Sequence, residues 1–329
     1  LDMQGDLLAY DFSGDFNTGA YASWGPTVAN RVPIHASGPY RVPHVRALTR
    51  AVHTHGAVSG AFRGFGVPQA TLLLEGLLDD AARKVGQDPL EYRLRQALRA
   101  GDTTPTGQRL EASVGLRACL TALRAGWRQA REAVAAFNAQ AARSSDSRVR
   151  GTGVACMWYG IGNTVIANPS TMSIGLRPDG RFVLYNGAVD IGQGSYTIMA
   201  QIAADALGVP VGLIDQVGAD TDLTADAGKS SASRQTFVSG NAARLAGEQL
   251  RERLLALAEL PPGSALRLQG PWLIAWTEGA PRRLSLATLP CDARGHVAFG
   301  EGYFNPPTVP LDAEGQGVPY ATYGFAAQF

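Results

Sequence analysis

Apolar positions recur at helical spacing in some stretches and alternate with polar ones in others, so the pattern predicts mixed helix and strand. Residues 1–58 read mostly as strand and loop: alternation over 2–10 is imperfect, 23–43 is Gly/Pro-punctuated ordered loop, and 42–54 alternates as a strand. Pro68 opens a helix with Leu72, Leu73, Leu77, Ala81 and Val85 as its apolar stripe, and Gly86 stops it. Asp88 caps and Pro89 begins a second helix, to about Arg99. Ser113 caps a third that carries Leu116, Leu120 and Leu123, and 127–142 forms a fourth, polar around most of its circumference. The polar run 144–148 then breaks the pattern, which restarts as strands: 151–158, and a hairpin of 172–176 with 182–185 around Pro178-Asp179-Gly180. A helix over 195–207, a strand near 213–217 and the longest helix, from Ser233 or Gln235 to Leu257, follow; 260–329 is short strands and proline-rich loops. The expected fold class is α+β, with two mixed α/β subdomains: 1–143, a linker at 144–150, and 151–329.

Composition narrows the function. With 329 residues, 45% of them hydrophobic and 17% charged, the chain can bury the cores of two ordered domains. Its 29 basic and 28 acidic side chains leave a net charge of +1, which argues against nucleic-acid binding. No apolar run approaches the ~18–20 residues of a membrane span. Cys119, Cys156 and Cys291 lie far apart, so neither a disulfide framework nor an iron–sulfur cluster is expected. The chain begins at Leu1, shows no signal peptide and ends at Phe329 inside an apparent strand, so it is expected to be a piece of a longer polypeptide.

Three stretches carry candidate chemistry. In Gly60-Ala61-Phe62-Arg63-Gly64-Phe65-Gly66-Val67-Pro68-Gln69, glycines let backbone N–H groups approach a ligand at a helix start, Arg63 adds a forked cation and Phe65 a flat face. A plain strand–helix turn is the alternative. Asp190-Ile191-Gly192-Gln193-Gly194-Ser195 holds the Gln193 amide between two glycines, with Ser195 as the cap of the next helix; it too could be a simple turn. It lacks the third glycine and the acidic residue of a dinucleotide fingerprint. Ser230-Ser231-Ala232-Ser233-Arg234-Gln235-Thr236 places hydroxyls, backbone amides and an arginine at a helix start, which suits a phosphate, or else is a serine-rich cap. His53 and His55 share a strand face without a third ligand, Asp220, Asp222 and Asp226 lack calcium-loop spacing, and no GxSxG occurs, so no metal site or hydrolase is expected.

Taken in order, Phe62 to Gln69, Gly192-Gln193-Gly194 and Ser231 to Gln235 with Ser239-Gly240-Asn241-Ala242 resemble the large molybdenum subunit of the xanthine dehydrogenase/aldehyde oxidase family. The resemblance covers essentially the whole chain, including the leucine-rich helix 71–83, Asp88-Pro89-Leu90-Glu91 and Gly151-Thr152-Gly153-Val154-Ala155. It implies a molybdenum–pterin cofactor (molybdopterin, in the cytosine dinucleotide form) that hydroxylates a carbon beside a heteroatom or oxidises an aldehyde. Oxygen would come from water, and electrons would leave through 2Fe-2S and FAD on other domains or subunits. Phe62, Arg63 and Gly64 would back the cofactor, Phe65 would stack on an aromatic substrate, and Gln193, flanked by Gly192 and Gly194, would hydrogen-bond the pterin or the metal's oxo group. Ser231, Ala232, Ser233, Arg234 and Gln235 would hold the phosphate end. Ile166 falls where some members carry a second stacking aromatic, which argues against a purine. The family's general base, a glutamate, lies nearer the C-terminus than this chain reaches, and its Gly-Gly-Phe-Gly-Gly stretch precedes Leu1. The resemblance therefore implies the middle part of an enzyme, inactive alone, in a cytoplasmic parent that pairs with iron–sulfur and flavin subunits. A non-catalytic cofactor-binding or assembly module is the alternative. On either reading Phe65, Gln193 and Ser231–Gln235 should converge on one cleft.

Overall fold

The computed structural model describes residues 1–144, 147–164, 166–276 and 281–329. The chain opens with a crossover: strands β1 (Ala9–Gly19) and β2 (His44–His53) pair in parallel, with helix α1 (Gly25–His35) between them. Parallel strands need such a connection. Residues 23–43 are therefore not the loop that their glycines and prolines suggest. Pro26 stands in the first turn of α1, where its missing N–H has no partner to lose, and Pro33 stands near its end.

Helix α2 (Val67–Lys84) buries Ala70, Leu74, Leu78 and Ala82, whereas Leu72, Leu73 and Leu77 of the expected stripe are 76%, 53% and 54% exposed. Leucines nearly encircle α2, so their spacing leaves its rotation open. A buried polar network sets it. Glu75 accepts from Arg93 Nε at 2.7 Å, from the Tyr40 hydroxyl at 2.5 Å and from Cys156 N at 2.9 Å. Arg93 belongs to helix α3 (Pro89–Gln96), whose first N–H groups are capped by Asp88 as expected. Helix α4 (Leu116–Ala141) is one continuous helix in place of the expected two, and Gly115 rather than Ser113 stands at its start. Strand β3 (Ala155–Gly160) follows.

The next part is built on a four-stranded sheet. Strands β4 (Ser170–Leu176) and β5 (Phe182–Asn186) form the expected antiparallel hairpin, and helix α5 (Ser195–Leu207) leads to β6 (Ile214–Gly218), parallel to β5. A single π-helical turn, Gln235–Ser239, runs into helix α6 (Gly240–Leu257). That helix is shorter than α4, so the longest helix lies elsewhere than expected. A three-stranded antiparallel sheet of β7 (Leu266–Gln269), β8 (Trp272–Ala275) and β9 (Arg282–Ser285) precedes β10 (Ala298–Phe304), which completes the order β10-β4-β5-β6. Met172, Ile174, Leu176, Phe182 and Leu184 of this sheet pack with Met199 and Ala203 of α5 and Ala246 and Leu250 of α6. The terminal strand β11 (Tyr323–Gln328) pairs antiparallel with β3.

The chain therefore forms two compact units, Leu1–Gly160 with Val309–Phe329, and Ile161–Thr308. They part at Gly160/Ile161 rather than at the expected linker 144–150. The reason is that β3, beyond that linker, is fastened to the first unit by β11 and by the Cys156–Glu75 bond. Of that linker, residues 145 and 146 lie outside the described residues. No described helix is long and apolar enough to cross a membrane.

Candidate cofactor site

In the first unit, the turn before α2 puts three successive residues in the left-handed region: Gly64 (φ 96°), Phe65 (φ 52°) and Gly66 (φ 89°). A side chain at 66 would meet Val32 Cγ2 at 2.8 Å and Val28 O at 2.9 Å, so the absence of a Cβ lets the turn rest on α1. Two of its amides are taken up locally, Phe65 N by Phe62 O at 2.9 Å and Val67 N by Gly64 O at 3.1 Å. The turn also presents its side chains. Phe62 is 85% exposed, Arg63 is exposed, and Phe65 is half-buried with its ring edge-on to Trp24 at 6.3 Å between centroids.

In the second unit two of the sequence motifs meet. Ser230 Oγ accepts from Val189 N at 3.0 Å and donates to Val189 O at 3.1 Å, so the turn before α5 and the turn before α6 lie edge to edge. Neither Ser230 in this bridging role nor Asp190 was singled out by sequence reasoning; an Asp just ahead of a Gly-x-Gly turn is the signal that could have marked the latter. Asp190 accepts from Gly192 N (2.8 Å), Gly194 N (3.4 Å) and Tyr196 N (3.2 Å). These N–H bonds, that of Gly192 first, hold its carboxyl below the usual carboxylate range. Asp190, not Ser195, therefore caps α5, and it already fills the place where this helix would favour an anion. What the turn offers is Gln193, exposed between two left-handed glycines. Its amide is held by Ile191 N (2.6 Å), Val189 O (3.0 Å) and Ser195 Oγ (3.3 Å).

The turn before α6 is built differently. Ala232 (φ 56°) and Ser233 (φ 54°) are both left-handed without being glycine, a strained arrangement of the kind found at ligand sites. Among the described residues, nothing accepts from the N–H groups of Ser231, Ala232 or Ser233, and nothing bonds the hydroxyls of Ser231 and Ser233. Successive N–H groups left without an acceptor in a turn are the kind of donor cluster that suits an anion, and the stretch is called the nest below. The following π-helical turn is a rare element that concentrates at functional sites.

Arg234 departs from expectation. It is 1% exposed, and its guanidinium donates inward to Ala227 O (2.6 Å), Lys229 O (3.1 Å), Asn168 O (3.0 Å) and Pro169 O (2.5 Å). It therefore offers no fork to a phosphate; it ties two loop segments, 168–169 and 227–229, behind the nest. Glycine at 228 makes this possible, because a Cβ there would fall 2.5 Å from Arg234 Nη1. Gln235 reinforces the same wall, its Nε2 donating to Lys229 O (3.2 Å) and Ser230 Oγ (3.1 Å) while its Oε1 accepts from Ser239 Oγ (2.5 Å).

Among the described residues no His/Cys/Asp/Glu group could bind a metal ion. All three cysteines are free, and burial pushes the Cys156 thiol up to about 12.

Comparison with known proteins identifies the family. Two models described as molybdopterin cofactor-binding domains match residues 1–97 and 121–329. The xanthine dehydrogenase molybdenum-binding subunit of Escherichia coli O157:H7 is 34% identical over 264 residues, covering 78% of this chain and 34% of that one. The nicotinate dehydrogenase large molybdopterin subunit of Eubacterium barkeri is 50% identical over 100 residues, 30% of this chain and 24% of that one. The crystal structure of the aldehyde oxidoreductase from Desulfovibrio desulfuricans superposes with a TM-score of 0.79 at 28% identity, over 98% of this chain and 33% of that one. The chain spans about a third of the length of the two Escherichia coli relatives it matches. It belongs to the molybdopterin cofactor-binding family, of the xanthine dehydrogenase and aldehyde oxidase type.

Proposed function

We propose that this chain is the cofactor-holding middle of a molybdenum hydroxylase whose full-length form oxidises an N-heterocycle or an aldehyde. The observation that carries the reading is the nest of free donors at Ser231–Ser233, bridged through Ser230 to the turn that presents Gln193. An open, donor-rich nest fits the phosphate end of a pterin cofactor in its cytosine dinucleotide form. The bound cofactor supplies oxidation at a carbon beside a heteroatom, with oxygen drawn from water.

This chain's residues bind and orient. The N–H groups and hydroxyls of Ser231, Ala232 and Ser233 hold phosphate oxygens, with Arg234 and Gln235 fixing the nest from behind. Gln193 exchanges a bond within its turn for one to the pterin side. Phe62, Arg63 and Gly64 back the cofactor, and Phe65 stacks on a flat substrate. The general base comes from outside this chain, as do the 2Fe-2S and FAD carriers, on partner subunits of a cytoplasmic complex. Relatives named for xanthine, nicotinate and aldehydes support the substrate class.

The test is the full-length protein, produced in a host that makes the cofactor. Molybdenum near one atom per chain and a cytidine nucleotide released on acid treatment are expected. The double variant Ser231→Ala/Ser233→Ala should retain several-fold less of both while its circular dichroism is unchanged. A wild-type protein that carries neither molybdenum nor pterin would overturn the reading.

A further inference from the structure

We infer that Trp24 is a positioning residue that sets the selectivity of the Phe65 surface for flat aromatic substrates. The inference rests on the proposed stacking role of Phe65, and everything it uses lies within the first unit.

The two rings are 6.3 Å apart between centroids with planes at 65°, the edge-to-face arrangement in which a ring's positive rim meets a negative face. Among the described residues, Trp24 provides the ring contact that Phe65 makes. The segment that carries the indole is built for the purpose. Ser23 is left-handed (φ 45°) without being glycine, and a Cβ at Gly60 would stand 2.8 Å from Ser23 Oγ, so residues 23–24 sit directly on the stretch that leads into the Phe65 turn. Trp24 then enters α1, and the Phe65 turn itself rests on Val28 and Val32 of that helix. Indole, helix and turn are thus one packed body.

Large rings are also left open here. Tyr21 is 72% exposed, Trp24 46% and Phe62 85%, all on the two segments that this contact joins. Exposed apolar surface concentrated in one place marks a binding region. A planar substrate stacks on the Phe65 face only as well as that face is held, and the indole edge fixes its tilt. Without the edge, the ring is free to rock and a flat ligand loses stacking. An aliphatic aldehyde, with no ring to stack, does not depend on that tilt.

The experiment uses the full-length, cofactor-loaded enzyme with a monocyclic N-heterocycle and a short aliphatic aldehyde as probes. Trp24→Leu should raise KM for the heterocycle about 3- to 10-fold, the range of one aromatic pair. It should change the aldehyde KM less than about twofold, and kcat for either probe little. Trp24→Phe, which keeps a ring edge, should hold the heterocycle KM within about twofold of wild type. A second readout is tryptophan fluorescence: heterocycle binding should quench it in wild type, and Trp24→Phe should lose that quenching while affinity is kept. Equal KM changes for both probes, or none for either, would overturn the inference. Phe65→Leu separates the two levels. If it raises the heterocycle KM while Trp24→Leu does not, the Trp24 inference alone fails; if Phe65→Leu has no effect, the stacking role on which it rests fails too.

Discussion

The Phe65 turn and the Ser231–Arg234 turn use the same strained backbone region for opposite ends. In the first, left-handed glycines at 64 and 66 bracket one left-handed aromatic residue, and the turn's own carbonyls take up the N–H groups of Phe65 and Val67. Large exposed side chains are its main offer. In the second, two non-glycine residues are left-handed, the N–H groups stay open, and the largest side chain, Arg234, is turned inward. Backbone donors and two small hydroxyls are what remains on offer. Each left-handed non-glycine residue costs ~1–2 kcal/mol, so the second turn persists only because Arg234 fixes the loops around it. On the roles proposed above, a ring-binding surface and an anion-binding surface grow from one local conformation, depending on where the donors and the side chains go.

The largest effect should come from breaking that lock. Arg234→Leu leaves the carbonyls of Ala227, Lys229, Asn168 and Pro169 without their donor in a buried place. A loss of ~3–5 kcal/mol is expected, as for other buried charge networks broken on one side, and thermal unfolding of the second unit would report it. The matching change in the first turn, Arg63→Ala, removes an exposed side chain and should stay within ~0.5 kcal/mol of wild type. Equal losses from both would contradict the contrast between the two turns.

A smaller effect should follow in the first turn from Gly66→Ala. The added methyl meets Val32 and Val28 O in a backbone conformation that L-residues disfavour, so ~2–3 kcal/mol should be lost. Urea unfolding followed through the buried Trp158 would measure it.

These two sites also mark how far the sequence could be read. Both stretches were legible as turns at a helix start, from glycines in one and a row of hydroxyls in the other, although a plain turn or a serine-rich cap has the same composition. What the sequence hid is where each polar group points. Arg234 looked like a phosphate fork; only the carbonyls gathered from residues 168–169 and 227–229 reveal that it faces inward. Helix α1 was hidden by Pro26 and Pro33, which local rules treat as breakers although each stands near an end. The rotation of α2 was hidden because its leucines nearly encircle it, and Glu75, a charged residue, proved to face the core. The boundary at Gly160 depends on the pairing of β3 with β11, about 160 residues apart in sequence, and no local pattern records that. The hairpin, α5 and β6 were legible because each is a short element ended by its own turn residues.

Acid should separate the units. His35 in α1 is fully buried, and burial first, then the nearby Arg31 charge, lower its imidazole to about 3. Its Nε2 accepts from Gly160 N at 3.1 Å, which requires the neutral ring. An unfolded chain takes up a proton at this residue below about pH 6.5 and the folded one does not, so stability falls as pH drops through 6.5 and levels off only near 3. The loss is ~1.4 kcal/mol per pH unit, or ~2 kcal/mol by pH 5. In the second unit the corresponding group is Asp190. Its lowered carboxyl contributes stability above the usual carboxylate range that is lost only as pH falls below it. Denaturant titrations at pH 7, 6 and 5 should therefore show a slope that His35→Gln flattens and Asp190→Asn leaves in place. A slope unchanged by His35→Gln would remove this distinction.

The smallest expected effect bears most directly on how the nest is held. Ser233 is left-handed without being glycine, so Ser233→Gly relieves strain while it frees the unfolded backbone; the two partly cancel, and a net gain of at most ~1 kcal/mol is expected. Gly66→Ala and Ser233→Gly are then opposite moves on the same backbone region, and they should have opposite signs. The sign at 233 decides between two pictures of the turn. If glycine stabilises, the left-handed pair is true strain held in place by Arg234, and the gain should persist when Ser231→Gly, at a residue outside the left-handed pair, gives none. If glycine instead destabilises by more than ~1 kcal/mol, the Ser233 hydroxyl carries an interaction that relaxes the turn, and the nest is held from its own rim rather than from behind.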